Sequence, residues 1–196
     1  MTDYRKTSKL LCYILRHDPG NLEMSADGYV YLTDLLHHPQ LQGVTRETIH
    51  EIVNTDEKHR YSIVETNGKQ MIRANQGHSI TSIDQNELLT RVTDPTQIES
   101  IVHGTYSQNI KSILANGLKA MNRNHIHFAK GLGRNVKSGM RDTCDTYFGV
   151  NVRQAMNDGI PFFISQNDVV LSPGLGRTKT IPTKYLVGPF KSFKTR

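Results

Sequence analysis

Apolar and polar positions alternate in blocks that change period near the middle of the chain. In SKLLCYILRHDPG, residues 8–20, Leu10, Leu11, Ile14 and Leu15 recur at helical spacing and form one stripe. Thr7 is placed to cap this helix, and Pro19 disfavours the α region at Asp18, so the helix is predicted to stop near His17. A turn containing Gly28 follows, in SADGYVYL. Thr33 is placed to cap a second helix, TDLLHH, and Thr45 a third, in which Ile49, Ile52 and Val53 make an apolar face. Two strand-like runs in HRYSIVETNGKQMIRAN then flank Asn67-Gly68, the strongest short-range hairpin signal. Three helices followed by a hairpin is the order of a winged helix.

Residues 76 to about 96 lack strong periodicity, and Pro95 lies near the end of this linker. Beyond Ile98 the pattern becomes mainly β. SIVHGTY reads as a strand entering a turn. Ser107 is placed to cap a helix with Ile110, Ile113 and Leu114 inward, and Gly117 sits where a helix C-terminus expects glycine. HIHFA, TYFGVNV, PFFIS and DVVLS read as short strands. No internal repeat or low-complexity tract interrupts them.

Composition narrows the class without naming an activity. The 196 residues, 36% hydrophobic and 21% charged, suit one domain or two small ones. No run is long and apolar enough to span a membrane, and the first residues lack a signal-peptide pattern. Cys12 and Cys144 lie far apart, which fits a reducing cytoplasmic compartment rather than a disulfide framework. The net charge of +6 is compatible with an anionic partner, but Arg and Lys are dispersed, with only a modest basic tail, KSFKTR.

Candidate chemistry gathers near the turns. Arg16 and His17 by themselves suit a helix C-terminus, whose dipole favours cations. A two-residue turn at Asn67-Gly68 sets Ser62 opposite Arg73 and Arg60 opposite Asn75, so these four share a face. Arg60 and Arg73 then lie as diagonal neighbours, roughly 7–8 Å apart. Such a pair repels unless solvent screens it or an anion, such as a phosphate, sits between. His103, Gly104 and Thr105 lie where a strand meets a capped helix. His125 and His127 share a strand face, and Arg123 has the same parity. An H-x-H pair needs further ligands to hold a metal, so a polar ligand pocket is preferred here to a metal site. Arg and His are in surplus while carboxylate bases are scarce, a pattern suited to a phosphorylated substrate that brings its own nucleophile.

Taken together and in order, these segments resemble the RNA 2′-phosphotransferase family of tRNA splicing. The resemblance runs through SKLLCYILRHDP, DGYVYLTDLL, KHRYSIVETNGKQMIRANQGHS, VHGTYSQNIKSILANGLKAMNRNHIHFA and GIPFFISQNDVVLSPG. It implies an α+β protein with a winged-helix RNA-binding lobe over residues 1–94. A mostly β, ADP-ribosyltransferase-like NAD-binding lobe would follow over 95–196. It implies that an internal RNA 2′-phosphate attacks the nicotinamide ribose of NAD, a co-substrate. Nicotinamide leaves, an ADP-ribosylated RNA 2′-phosphate forms, and a ribose hydroxyl then releases 2′-OH RNA and ADP-ribose 1″,2″-cyclic phosphate. By the same resemblance Arg16, His17, Arg60 and Arg123 are catalytic, and His103, Gly104, Thr105 and His127 bind NAD. Arg73, Gln76 and His78 bind the RNA, which could be a tRNA splice junction, and the protein acts as a monomer in the cytoplasm.

Three positions depart from the family pattern: Ala129 where serine is common, Asp168 where glycine is common, and Asp18 where lysine is common. The competing functions are ADP-ribosyl transfer to another nucleic-acid phosphate or a protein, and nucleic-acid binding without catalysis.

Overall fold

A computed structural model describes residues 3–131, 139–141 and 143–191. The chain divides into two compact units between Leu88 and Leu89, rather than after residue 94. The shift has a cause. Thr90 and Arg91 pair with a strand of the second unit, and Val92 is buried in its core.

In the first unit, helix α1 spans Tyr4–Arg16. Asp3, not Thr7, caps it, accepting the Lys6 N–H at 3.1 Å, and Thr7 is buried within the helix. Leu11, Ile14 and Leu15 form the buried stripe. Strand β1, Val30–Tyr31, leads into α2, Leu32–Leu36, whose cap position is Tyr31; Thr33 falls inside the helix instead. Helix α3, Arg46–Thr55, is capped by Thr45 as predicted, its side chain accepting the Thr48 N–H. Strands β2, Tyr61–Thr66, and β3, Lys69–Ala74, pair with Ser62 opposite Arg73. Asn67 and Gly68, with φ of 52° and 70°, form the turn that fixes this register. The sheet order is β1-β3-β2. Tyr61 ties β2 to α1 by donating its hydroxyl to the Ser8 carbonyl at 2.6 Å. Helix α4, Gln85–Leu88, ends the unit.

The second unit contains β4 (Thr90–Arg91), β5 (Ile101–Thr105), α5 (Ile110–Asn116), β6 (Leu118–Lys119) and β7 (Ile126–Lys130). It continues through β8 (Thr146–Val150), α6 (Val152–Asn157), β9 (Phe163–Ile164), β10 (Val170–Ser172), β11 (Thr180–Ile181) and β12 (Leu186–Lys191). A seven-stranded sheet has the order β12-β8-β5-β7-β10-β9-β4, with antiparallel pairings, and β11 pairs with β6. Phe128, Phe148 and Phe162 are buried in its core.

In the second unit, local expectations failed in three further places. Ser107 opens a short 3₁₀ turn ahead of α5, and its N–H is satisfied by Asp145 Oδ1 at 2.7 Å. Leu114 is exposed, while Ile113 carries the inward face of α5. The end of TYFGVNV turns into α6, because Asn151 accepts the Gln154 N–H and starts a helix. No helix among the described residues is long and apolar enough to cross a membrane. Of the basic tail, residues 192–196 lie outside the described residues.

Candidate functional site

The end of α1 packs against the segment that follows β3. Its last turn is held by the segment after β3, where the Ser79 N–H donates to the Arg16 carbonyl at 2.9 Å. Ser79 Oγ also lies 3.0 Å from His17 Nδ1, which fixes the imidazole. Gly77 has φ of 91°, and a Cβ there would sit 3.5 Å from the Arg16 guanidinium carbon and Nε. Glycine therefore lets the backbone turn closely under the arginine. Arg16 Nε and Nη2 are buried with no hydrogen-bond partner among the described residues. Burying guanidinium donors without an acceptor is costly, so this geometry suits an incoming oxyanion. Gln76 and His78 flank Gly77 and are both buried, His78 beside the Gly28 turn.

The two hairpin arginines are each answered by a carboxylate. Arg60 forms an ion pair with Asp56, whose carboxylate also accepts the Arg60 N–H. Arg73 donates to Asp27 through Oδ2 at 3.2 Å and the backbone carbonyl at 3.1 Å, and lies over the Tyr29 ring. Ser62 and Asn75 do share a face, joined by a 2.7 Å hydrogen bond. The repulsion that suggested a bridging phosphate is thus relieved by Asp27 and Asp56, neither of which the sequence pattern singled out.

The second unit holds a cavity of about 410 Å³. His103, Gly104, Thr105, Arg123, His125 and His127 all line it, so the sequence-predicted residues of this half converge. Strand β5 delivers the first three, and β7 with its approach delivers the others. His103 Nδ1 donates to the His127 carbonyl at 2.9 Å, and burial lowers its pKa. The ring is therefore neutral near pH 7, with Nε2 as an acceptor. Gly104 is approached closely by Met140, since a Cβ there would lie 2.1 Å from Met140 Cγ. Thr105 Oγ1 accepts from Asn109. The lining also includes Tyr106, Lys119, Met121, Arg141 and Cys144, none of which was singled out as a site residue from the sequence. No Asp or Glu lines it among the described residues.

His125 packs its ring against Phe163, and burial, assisted by the Lys179 charge, pushes its pKa down to about 4. The unfolded chain, with an ordinary histidine near 6.5, binds a proton first on acidification. Stability is thus full above about pH 6.5 and declines as pH falls toward 4, by up to about 3 kcal/mol from this group. Chemical denaturation across that window is expected to show the decline, and His125→Phe to flatten it; an unchanged slope in the variant would assign the decline to other groups.

The three departures have structural explanations. Ala129 is fully buried, packed with Val102 and Tyr147. Asp168 has φ of 62°, a conformation glycine adopts more readily, and its carboxylate pairs with Lys130 at 2.5 Å. Asp18 is exposed and accepts the Gly20 N–H in the turn after α1.

Residues 2–174 match the sequence model of a family described as RNA 2'-phosphotransferase, Tpt1 / KptA family. The chain is 39% identical to tRNA 2'-phosphotransferase 1 of Danio rerio over 176 residues, covering 86% of this chain and 78% of that protein. It is 40% identical to tRNA 2'-phosphotransferase 1 of Homo sapiens over 173 residues, covering 85% and 68%. With a probable RNA 2'-phosphotransferase of Flavobacterium johnsoniae the identity is 32% over 192 residues, covering 96% and 97%.

Proposed function

Because the chain belongs to the RNA 2'-phosphotransferase, Tpt1 / KptA family, we propose that it moves an internal RNA 2′-phosphate onto the ADP-ribose part of NAD. The products are 2′-OH RNA, nicotinamide and ADP-ribose 1″,2″-cyclic phosphate. The observation that carries this is Arg16, with two buried guanidinium nitrogens unpartnered among the described residues and His17 oriented beside it. The helix order and the three-stranded sheet of residues 3–88 support a winged-helix lobe. The antiparallel seven-stranded sheet and its cavity support a lobe of the ADP-ribosyltransferase kind.

NAD is here a substrate, supplying the ribose carbon that accepts the phosphate and nicotinamide as leaving group. The cavity fits it in chemistry. Its volume is within the usual range for small-molecule sites, Lys119, Arg123 and Arg141 supply cations for a pyrophosphate, and neutral His103 offers an acceptor to a sugar hydroxyl.

The nucleophile is an oxygen of the RNA phosphate, largely ionised near pH 7, so the first step needs charge neutralisation and alignment rather than a strong base. Arg16 supplies neutralisation in the first unit, and Arg123 is proposed to do so in the second. In the second step a ribose hydroxyl loses a proton and the departing RNA oxygen gains one. Imidazole titrates in the right range for that exchange, and Ser79 holds His17 by Nδ1, assigning the exchange to Nε2.

A cavity whose described lining lacks a carboxylate has no evident group to activate water. NAD is therefore expected to be consumed only when a 2′-phosphorylated strand is present. Nicotinamide release, followed by chromatography with and without the strand, checks this; equal rates in both would contradict it.

A further inference from the structure

Helix α1 presents more than its C-terminal arginine. Lys6, Lys9, Tyr13 and His17 follow one another at spacings of three, four and four residues, so they share one face. All four are exposed, and Arg5 beside them is exposed too. No residue from Tyr4 to Arg16 is acidic. Asp3 and Asp18 stand at the two ends, each already accepting a backbone N–H, from Lys6 and Gly20. The core uses the opposite face, through Leu11, Ile14 and Leu15.

Tyr13 is conspicuous in this row. It is 47% exposed, and its ring centroid lies 6.0 Å from that of His17, the planes tilted by 52°. With a rise of 1.5 Å per residue, Lys9 lies about 6 Å and Lys6 about 10 Å farther along the helix axis. An open aromatic face in line with mobile cations is the combination that holds single-stranded nucleic acid: bases stack on the ring and phosphates meet the cations.

We infer that this face of α1 is a track for single-stranded RNA leading to Arg16. Tyr13 stacks a base adjacent to the nucleotide whose 2′-phosphate Arg16 receives, and Lys9, Lys6 and Arg5 take the flanking backbone phosphates. Charge complementarity selects the occupant, since the row carries two lysines, the Tyr13 ring and the His17 imidazole but no aliphatic side chain that a protein partner would bury. The placement of the 2′-phosphate rests on the proposed function; the track itself extends it.

Fluorescence anisotropy with a single-stranded RNA about ten nucleotides long, with or without one internal 2′-phosphate, tests the two parts separately. Tyr13→Ala is expected to weaken binding of both strands by roughly five- to a hundred-fold, the range for losing one stacked base, while preserving their ratio. Tyr13→Phe, which keeps the ring, should bind within about threefold of the parent protein, because stacking needs the ring face alone. Lys9→Ala should lower the slope of log affinity against log salt by about 0.7, one single-strand phosphate contact. Unchanged binding by Tyr13→Ala, equal loss in Tyr13→Phe, or no binding of either strand by the parent protein would each overturn the track. Arg16→Ala reports on the other part: it should erase the preference for the phosphorylated strand. A parent protein with no such preference refutes the role of Arg16, while loss of unphosphorylated-strand binding in Tyr13→Ala still supports the track.

Discussion

Arg16→Ala is expected to lower turnover of 2′-phosphorylated RNA by roughly a hundred- to ten-thousand-fold while the fold is retained. Each charge-assisted hydrogen bond contributes about 1.5–3 kcal/mol, and two buried donors are lost together. Each ~1.4 kcal/mol is tenfold in rate. The local structure should persist, because Ser79 bonds to the Arg16 carbonyl, which the substitution leaves in place. Arg16→Lys is expected to recover little, since a single ammonium cannot reproduce two donors of a planar fork. Steady-state rates with circular dichroism as a control would check this. Near-normal turnover in a folded Arg16→Ala protein would remove the anion site from the mechanism.

His17→Ala is expected to separate the two chemical steps. Arg16 can neutralise the phosphate during attack without moving a proton, but transesterification requires proton exchange at two oxygens. Loss of the imidazole should therefore slow the second step by about 10²–10⁴-fold and leave the first less affected. ADP-ribosylated RNA 2′-phosphate would then accumulate in a single turnover. The competing role is a protonated imidazole that only binds phosphate. In that case both steps slow together, and a gel resolving substrate, intermediate and 2′-OH product shows no intermediate at any time.

How much of this was legible in the sequence depends on the range of each interaction. The hairpin register was, because a two-residue Asn67-Gly68 turn dictates which residues face each other. Thr45 was legible as a cap because its only competition was local. The start of α1 was misplaced because the apolar stripe begins at Leu10, whereas Asp3 nucleates the helix through a polar first turn that carries no periodic signal. Helix α6 was missed for a related reason: valines on both sides of Asn151 look like strand until the asparagine side chain caps a turn.

At the candidate site, residues adjacent in sequence or alternating along a strand were found, and their distant partners were not. His125, His127 and Arg123 could be placed near one another from strand parity, and the cavity unites them with His103. The contact of His17 with Ser79, the passage of Gly77 beneath Arg16, and the pairing of Arg60 and Arg73 with Asp56 and Asp27 depend on tertiary packing. A motif such as Gln-Gly-His-Ser could flag the segment, but only the fold shows that its serine, Ser79, orients His17 of α1. Tyr13 escaped notice because an aromatic residue within an apolar run looks like core until its exposure is known.

The most direct measurement follows the phosphorus atom. An oligoribonucleotide carrying one isotopically labelled internal 2′-phosphate is incubated with the protein and NAD, and the labelled products are separated. The label is expected to leave the RNA, which becomes 2′-OH, and to appear in ADP-ribose 1″,2″-cyclic phosphate, with one nicotinamide released per phosphate moved. Label that stays on an ADP-ribosylated strand as the end product, or that appears as inorganic phosphate without NAD, would contradict the transfer.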